Sequence, residues 1–323
     1  EPSERAKAFG VYGALAGGGG AVGLLLGGLL TEYLDWRWTM FVNVAFAIPA
    51  GIGLAALLVN DPRRDEVRVD IPGAIAASTG LFGIVFGFSR TEADGWTAAV
   101  TLASLAAGVA LLALFILIER RSDAPLLPLR VVADRNRAGS YLAVGVAGAS
   151  MFGVFLFLTY YLQQTLGMSP IETGLAFLPM IAFLMVGSIS SSTKLMPRFG
   201  PRPLVPTGMV LAAAGMVWLT GVGVDSTYAG AVLPGLALVG AGFGLIIAPS
   251  MASATLGVAV SDSGVASAMV NTSQQVGGSV GTALLSTISA SAVTAFASGK
   301  VPGPELAAQA AVHGYTTAFW VAA

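Results

Sequence analysis

The chain has 323 residues, 55% hydrophobic and only 10% charged, with a formal net charge of −1 and a mean hydropathy of +0.79. A soluble surface of this size needs about a quarter of its residues charged, and a basic field for nucleic acid needs an excess of Lys and Arg; the composition excludes both. With no cysteine and one histidine, His313, it also excludes disulfide scaffolds, thiolate chemistry and almost every zinc site.

The 42 glycines suit membrane helices, where small residues permit close contact. The fold class is therefore all-α, a polytopic membrane protein. Apolar stretches of about 20 residues, enough to cross a ~30 Å hydrocarbon core, recur along the whole chain. They are Phe9–Leu30, Trp38–Val59, Ile71–Ser89, Thr97–Ile118, Ala138–Leu162, Ile171–Ser191, Leu204–Val224, Tyr228–Ala248 and Val265–Phe296. A tenth begins near Ala310 and reaches Ala323 too soon to span. That ending, and the start at Glu1-Pro2 without Met or signal-peptide pattern, lead us to expect a piece of a longer protein.

Alternate connections carry the basic residues. One set holds Arg5 and Lys7; Arg63, Arg64 and Arg68; Arg120, Arg121, Arg130, Arg135 and Arg137; and Lys194, Arg198 and Arg202. The other holds only Arg37, Arg90 and Lys300. Basic residues favour the cytoplasmic side, so the first set is expected there. Within it, Glu119–Arg137 is the longest polar stretch and contains Pro125 and Pro128, as a linker between two membrane bundles would. No Lys, Arg, Asp or Glu falls in the middle of a span, so the usual marker of an intramembrane proton pathway is missing from these segments.

Gly10, Gly19, Gly23, Gly27 and Gly28 punctuate the first segment, and Gly19, Gly23 and Gly27 form a small-xxx-small ladder expected to bring helix backbones together. Next come Asp35-Trp36-Arg37-Trp38 and Asn43, whose two Trp also suit an interfacial anchor. Between Lys194 and Leu204 the chain reads Lys-Leu-Met-Pro-Arg-Phe-Gly-Pro-Arg-Pro-Leu, with Arg198, Gly200 and Arg202 in a cytoplasmic loop. An Arg there can bond the last carbonyls of neighbouring helices. Further on, Asn271, Gln274, Gln275, Gly278 and Thr282 share one helical face. Amides in hydrocarbon need partners, so this face is expected to meet another helix, with the amides holding the seam, or a wet cavity.

These motifs resemble drug exporters of the major facilitator superfamily, specifically the fourteen-helix drug:proton antiporter family. The glycine spacing is similar to the antiporter motif of the fifth helix, with Leu24 where a Pro is usual. The W-R-W…N run resembles the entrance to the sixth helix, with Ala45 in place of a Pro, and the Asn271–Thr282 stretch resembles the penultimate helix. The resemblance implies that residues 1–60 are the last two helices of an N-terminal bundle and 61–118 two inserted helices. Residues 119–137 would be the cytoplasmic linker, and 138–323 a C-terminal six-helix bundle with its last helix cut short. It implies export of lipophilic or amphiphilic compounds such as drugs and antibiotics by proton antiport and alternating access, with the proton-coupling residues upstream. Gly10, Gly19, Gly23, Gly27 and Gly28 would form the conformational-switch motif, while Met151, Phe152, Phe155, Thr159 and Gln163 would line the substrate cavity. The implied partners are a small lipophilic substrate, protons and the lipid bilayer.

Enzyme signatures fail. Gly51-Ile-Gly53-Leu-Ala-Ala56 fits a dinucleotide fingerprint but lies inside a span with no preceding strand. No Walker A sequence is present for ATP, and His313 has no catalytic partner in its segment. The expectation is a non-enzyme without cofactor or metal, placed in the cytoplasmic membrane. The three Lys beside thirteen Arg, with abundant Ala and Gly, fit a high-GC bacterium. Two other readings stay open: an exporter of an endogenous metabolite such as a siderophore or self-made antibiotic, and a non-transporting membrane sensor on the same fold.

Overall fold

The computed structural model describes residues 19–57, 70–122 and 124–323; Gly10 and the basic residues Arg5, Lys7, Arg63, Arg64 and Arg68 lie outside them. Every regular element among the described residues is helical. The first, α1, is helical over 19–33. After it come α2 (Trp38–Leu57), α3 (Ile71–Asp94), α4 (Ala99–Arg121), α5 (Leu129–Ala133) and α6 (Arg135–Tyr160). The rest are α7 (Pro170–Ser190), α8 (Met196–Phe199), α9 (Pro201–Leu219), α10 (Leu233–Thr255), α11 (Ser263–Ala297) and α12 (Pro304–Ala322). Wider π turns continue α6 over Tyr161–Thr165, join α7 to α8 over Ser191–Leu195 and open α10 over Tyr228–Val232. Among the described residues, 8 helical stretches are long and apolar enough to cross a membrane.

The ten expected segments map onto helices, but several boundaries move: α9 ends at Leu219, short of the expected Val224, and α10 runs on to Thr255, past Ala248. The helix α3 runs on to Asp94, where Arg90 and Asp94 pair one turn apart at 2.7 Å. The helix α12 starts at Pro304 and has 19 residues, about 28 Å at 1.5 Å per residue. Pro304 at the first helical position and Glu305 in the first turn are helix-start signals. The expectation of a segment beginning near Ala310 counted only its apolar part. His313 sits mid-helix, its ring 4.8 Å from that of Phe296.

The core lies among α6, α7, α9, α10 and α12, where Leu158, Tyr161, Phe177, Met180, Met216, Phe243 and Phe319 are fully buried. The pair α3–α4 stands beside it, tied to α11 by a buried hydroxyl contact of 2.6 Å between Thr91 and Thr287. By contrast α2 buries no residue and exposes Phe41, Phe46, Ile48, Ile52 and Leu54, side chains suited to a hydrocarbon surround.

The polar stretch at 119–137 is strapped down at several points. Glu119 is buried, and its Oε2 accepts the Leu127 N–H at 2.9 Å. From α5, the Arg130 guanidinium makes a two-pronged contact with Asp262 at 3.0 and 3.1 Å. Arg137 donates to the carbonyls of Val131 and Arg130 at 2.9 and 3.2 Å.

Candidate translocation face

The meeting of α6 with α11 determines where the polar residues of α11 go. A side-chain carbon at Gly148 would lie 2.5 Å from the Gln274 carbonyl oxygen, and one at Gly145 would lie 3.3 Å from that of Ser273. Gly277 abuts Gly145 and Gly281 abuts Ala149. Backbones this close leave no room for a side chain, which is how small residues hold membrane helices together. The Phe152 ring lies over Gly278, its Cδ2 2.6 Å from where a Cβ would stand.

The seam is therefore glycine, which corrects the expectation that Asn271, Gln274 and Gln275 hold it. Asn271 and Gln275 are exposed and Gln274 is half-buried, and none of the three side chains makes a hydrogen bond among the described residues. Gln274 meets Gly148 through its backbone, while Asn271 and Gln275 stand on the exposed side of α11. Gly278 is buried in the seam, and the Thr282 hydroxyl is buried without a hydrogen-bond partner.

The five aromatic and polar candidates of α6 divide. Phe152 is 42% exposed and borders the α11 strip at Gly278, one turn from Gln275. Met151 and Phe155 are half-buried against the core, the Phe155 ring 4.9 Å from that of Phe177. Thr159 donates its hydroxyl to the Phe155 carbonyl at 2.6 Å, and Gln163 is exposed on the π turn. Phe152 thus lies over Gly278, on the face of α11 that by helical spacing also carries Gln275 and Asn271. Beyond Gln163, Tyr315 of α12 donates to Gln164 Oε1 at 3.1 Å and lies 6.3 Å from the rings of both Tyr160 and Phe157. Sequence reading missed this cluster; the adjacent Gln163-Gln164 pair ending an apolar run was its one signal.

The glycine ladder of α1 also needs correction. Side-chain carbons at Gly19, Gly23 and Gly27 would meet nothing within 4 Å. These residues line a groove of about 600 Å³ between α1 and α2, with Val22, Leu26, Thr39 and Asn43. The face that docks on α7 is rotated by one residue: Gly20 lies toward Ile181, Leu24 against Gly174 and Gly28 against Pro170. Of the switch-motif residues described, only Gly28 makes a close approach. In the turn before α2, Arg37 pairs with Asp35 at 3.0 Å and stacks 5.0 Å over the Trp36 ring, while Asn43 donates to the carbonyls of Thr39 and Met40 in its own helix.

At the other end, Gly200 separates α8 from α9 with φ +72, a left-handed conformation that glycine adopts without strain. Gly200 and Arg202 line a cavity of about 670 Å³ with Asp134, Arg135, Arg137 and Ser253. Among the described residues neither Arg198 nor Arg202 bonds a helix carbonyl; Arg137 does so instead. Asp134 caps α6, accepting the N–H groups of Asn136 and Arg137 at 3.1 and 3.0 Å. The Arg137 N–H, with help from its guanidinium, holds the Asp134 carboxyl below the usual carboxylate range.

Long apolar helices, among them α6 and α11 joined backbone to backbone, define a multi-pass membrane helical bundle. The chain belongs to the Major Facilitator Superfamily, which it matches over residues 1–282. It is 47% identical to the puromycin resistance protein of Streptomyces alboniger, over 98% of this chain and 63% of that protein. It is 37% identical to the cephamycin export protein of Amycolatopsis lactamdurans, over 90% of this chain and 60% of that one. A third relative, the tetracenomycin C resistance and export protein of Streptomyces glaucescens, is 35% identical, over 90% of this chain and 54% of its own length. The chain thus spans about three-fifths of the length of these relatives. It is a multi-pass bacterial membrane protein.

Proposed function

We propose that the chain belongs to a secondary transporter that exports lipophilic or amphiphilic small molecules, antibiotics among them, by proton antiport and alternating access. The observation that carries this reading is the 47% identity to a puromycin resistance protein along 98% of the chain. The α11 face that carries Gln275 and Asn271, with Phe152 over it at Gly278, supports it, since an aromatic ring on one face with amides lacking intramolecular partners suits a substrate that is part apolar and part polar. On this reading residues 1–60 belong to an N-terminal bundle that docks through α1 on α7. Residues 61–118 supply the inserted pair α3–α4, 119–137 the strapped linker and 138–323 the C-terminal bundle.

Expression of the complete protein in a bacterium lacking its own drug efflux tests this. Cellular puromycin should fall relative to an empty-vector control, and collapsing the proton gradient with a protonophore should restore it. Unchanged accumulation, with the protein demonstrably in the membrane, would overturn the proposal.

A further inference from the structure

The N-terminus of α7 is Ser169-Pro170-Ile171-Glu172. Ser169 Oγ accepts the Glu172 N–H at 3.3 Å, and Glu172 Oε2 accepts the Ser169 N–H at 2.8 Å, a reciprocal capping box. Pro170 has no N–H to satisfy. One first-turn amide lies beyond the reach of this box, that of Ile171, and it donates to Oε2 of Glu32 at 3.0 Å, from a residue on α1 139 positions earlier.

The backbone around that bond is equally close. A turn before Glu32, a side-chain carbon at Gly28 would lie 2.8 Å from the Pro170 carbonyl oxygen and 3.0 Å from Ile171 Cα. A turn earlier still, the Leu24 carbonyl oxygen is 2.8 Å from where Gly174 would carry a Cβ. Three successive turns of α1 therefore register against the start of α7, and Glu32 is the charged end of the strip. A carboxylate at a helix N-terminus is favoured by the helix dipole, and an amide that loses its acceptor must recruit water instead.

We propose that Glu32 is a positioning residue for transport. Its carboxylate completes the cap of α7 from across the α1–α7 seam and so holds this end of the protein, outer by the charge bias, in the closed arrangement. Opening the seam parts Glu32 from Ile171, so the bond favours the closed state over the open one. The inference deepens the export reading and rests on it for the meaning of the two states.

The test uses the complete protein with single cysteines, Leu24→Cys in the seam or Asn271→Cys on the exposed strip of α11, and an impermeant thiol reagent applied from outside or inside respectively. Both rates are read without substrate, so failure of drug export would sink the export reading and leave this test intact. Glu32 is exposed, so Glu32→Ala should raise the outer rate roughly two- to fivefold, the range for losing a carboxylate at a solvent-accessible helix N-terminus. The inner rate should fall as the population shifts. Glu32→Gln, which keeps an acceptor without charge, should fall between Ala and the parent. An unchanged outer rate in both variants, or a parallel rise at both probes, which marks general loosening, would overturn the proposal.

Discussion

Replacing Gly277 by Ala adds one methyl group where α6 and α11 meet most tightly. Its carbon would lie 2.6 Å from the carbonyl carbon of Gly145 and 2.8 Å from its Cα. Carbon atoms in contact need about 3.5–4.0 Å, so the helices would have to part by roughly 1 Å. Overpacking of this kind costs about 1–3 kcal/mol, while the higher helix preference of Ala returns at most ~1 kcal/mol. At the full offset the net loss is up to about 2 kcal/mol, a factor of up to roughly 30 in the folding equilibrium. Gly53 on α2 is the matched control, since a side-chain carbon there meets nothing within 4 Å and only the helix term operates. Thermal unfolding of both variants in one detergent, followed by tryptophan fluorescence, should lower Tm by a few degrees for Gly277→Ala. Gly53→Ala should leave Tm unchanged or raise it. Equal shifts for the two would refute the glycine seam as the contact that joins these helices.

Further expectations follow from the end of the bundle that carries most of the basic residues. Arg130→Ala and Asp262→Asn should each destabilise by about 1 kcal/mol, with Arg130 discounted because its side chain is 72% exposed. A double-mutant cycle on thermal stability should return a coupling above zero, and strict additivity would contradict the strap. The Asp134 carboxyl is held below its usual value in the folded protein, so its contribution is present above the ordinary carboxylate range and fades as pH falls through the lowered value. Asp134→Asn keeps a capping side chain but should flatten part of the decline of Tm between pH 7 and pH 3, and an identical decline would contradict this. Single cysteines at Arg130 and Arg198 should react only from the cytoplasm and one at Val301 only from outside; same-side labelling of Arg198 and Val301 would break the topology.

Helix content and helix order were legible because spans of about 20 apolar residues separated by charged connections leave few other readings. The direction in which each helix faces was not. In a soluble protein the polar side marks the outside, but in hydrocarbon both the packed and the lipid-facing sides are apolar. The choice between Gly19–Gly23–Gly27 and Gly20–Leu24–Gly28 is one step of about 100°, and composition does not decide it. Asn271 and Gln275 were recognisable as amides needing partners, yet whether a helix or a cavity supplies them depends on Gly277 and Gly281 taking the contact line first. The cap on α7 joins Glu32 to Ile171 across 139 positions, a pairing that no local pattern contains.

The export claim is tested most directly by uptake of labelled puromycin into proteoliposomes of the purified complete protein under an imposed proton gradient. The account predicts accumulation that follows the direction of the gradient and stops when an ionophore collapses it. It also predicts that Gln275→Leu, which removes an exposed amide from the strip without touching the seam, reduces uptake while the protein remains folded. Uptake indistinguishable from empty liposomes, or uptake indifferent to the gradient, would contradict it.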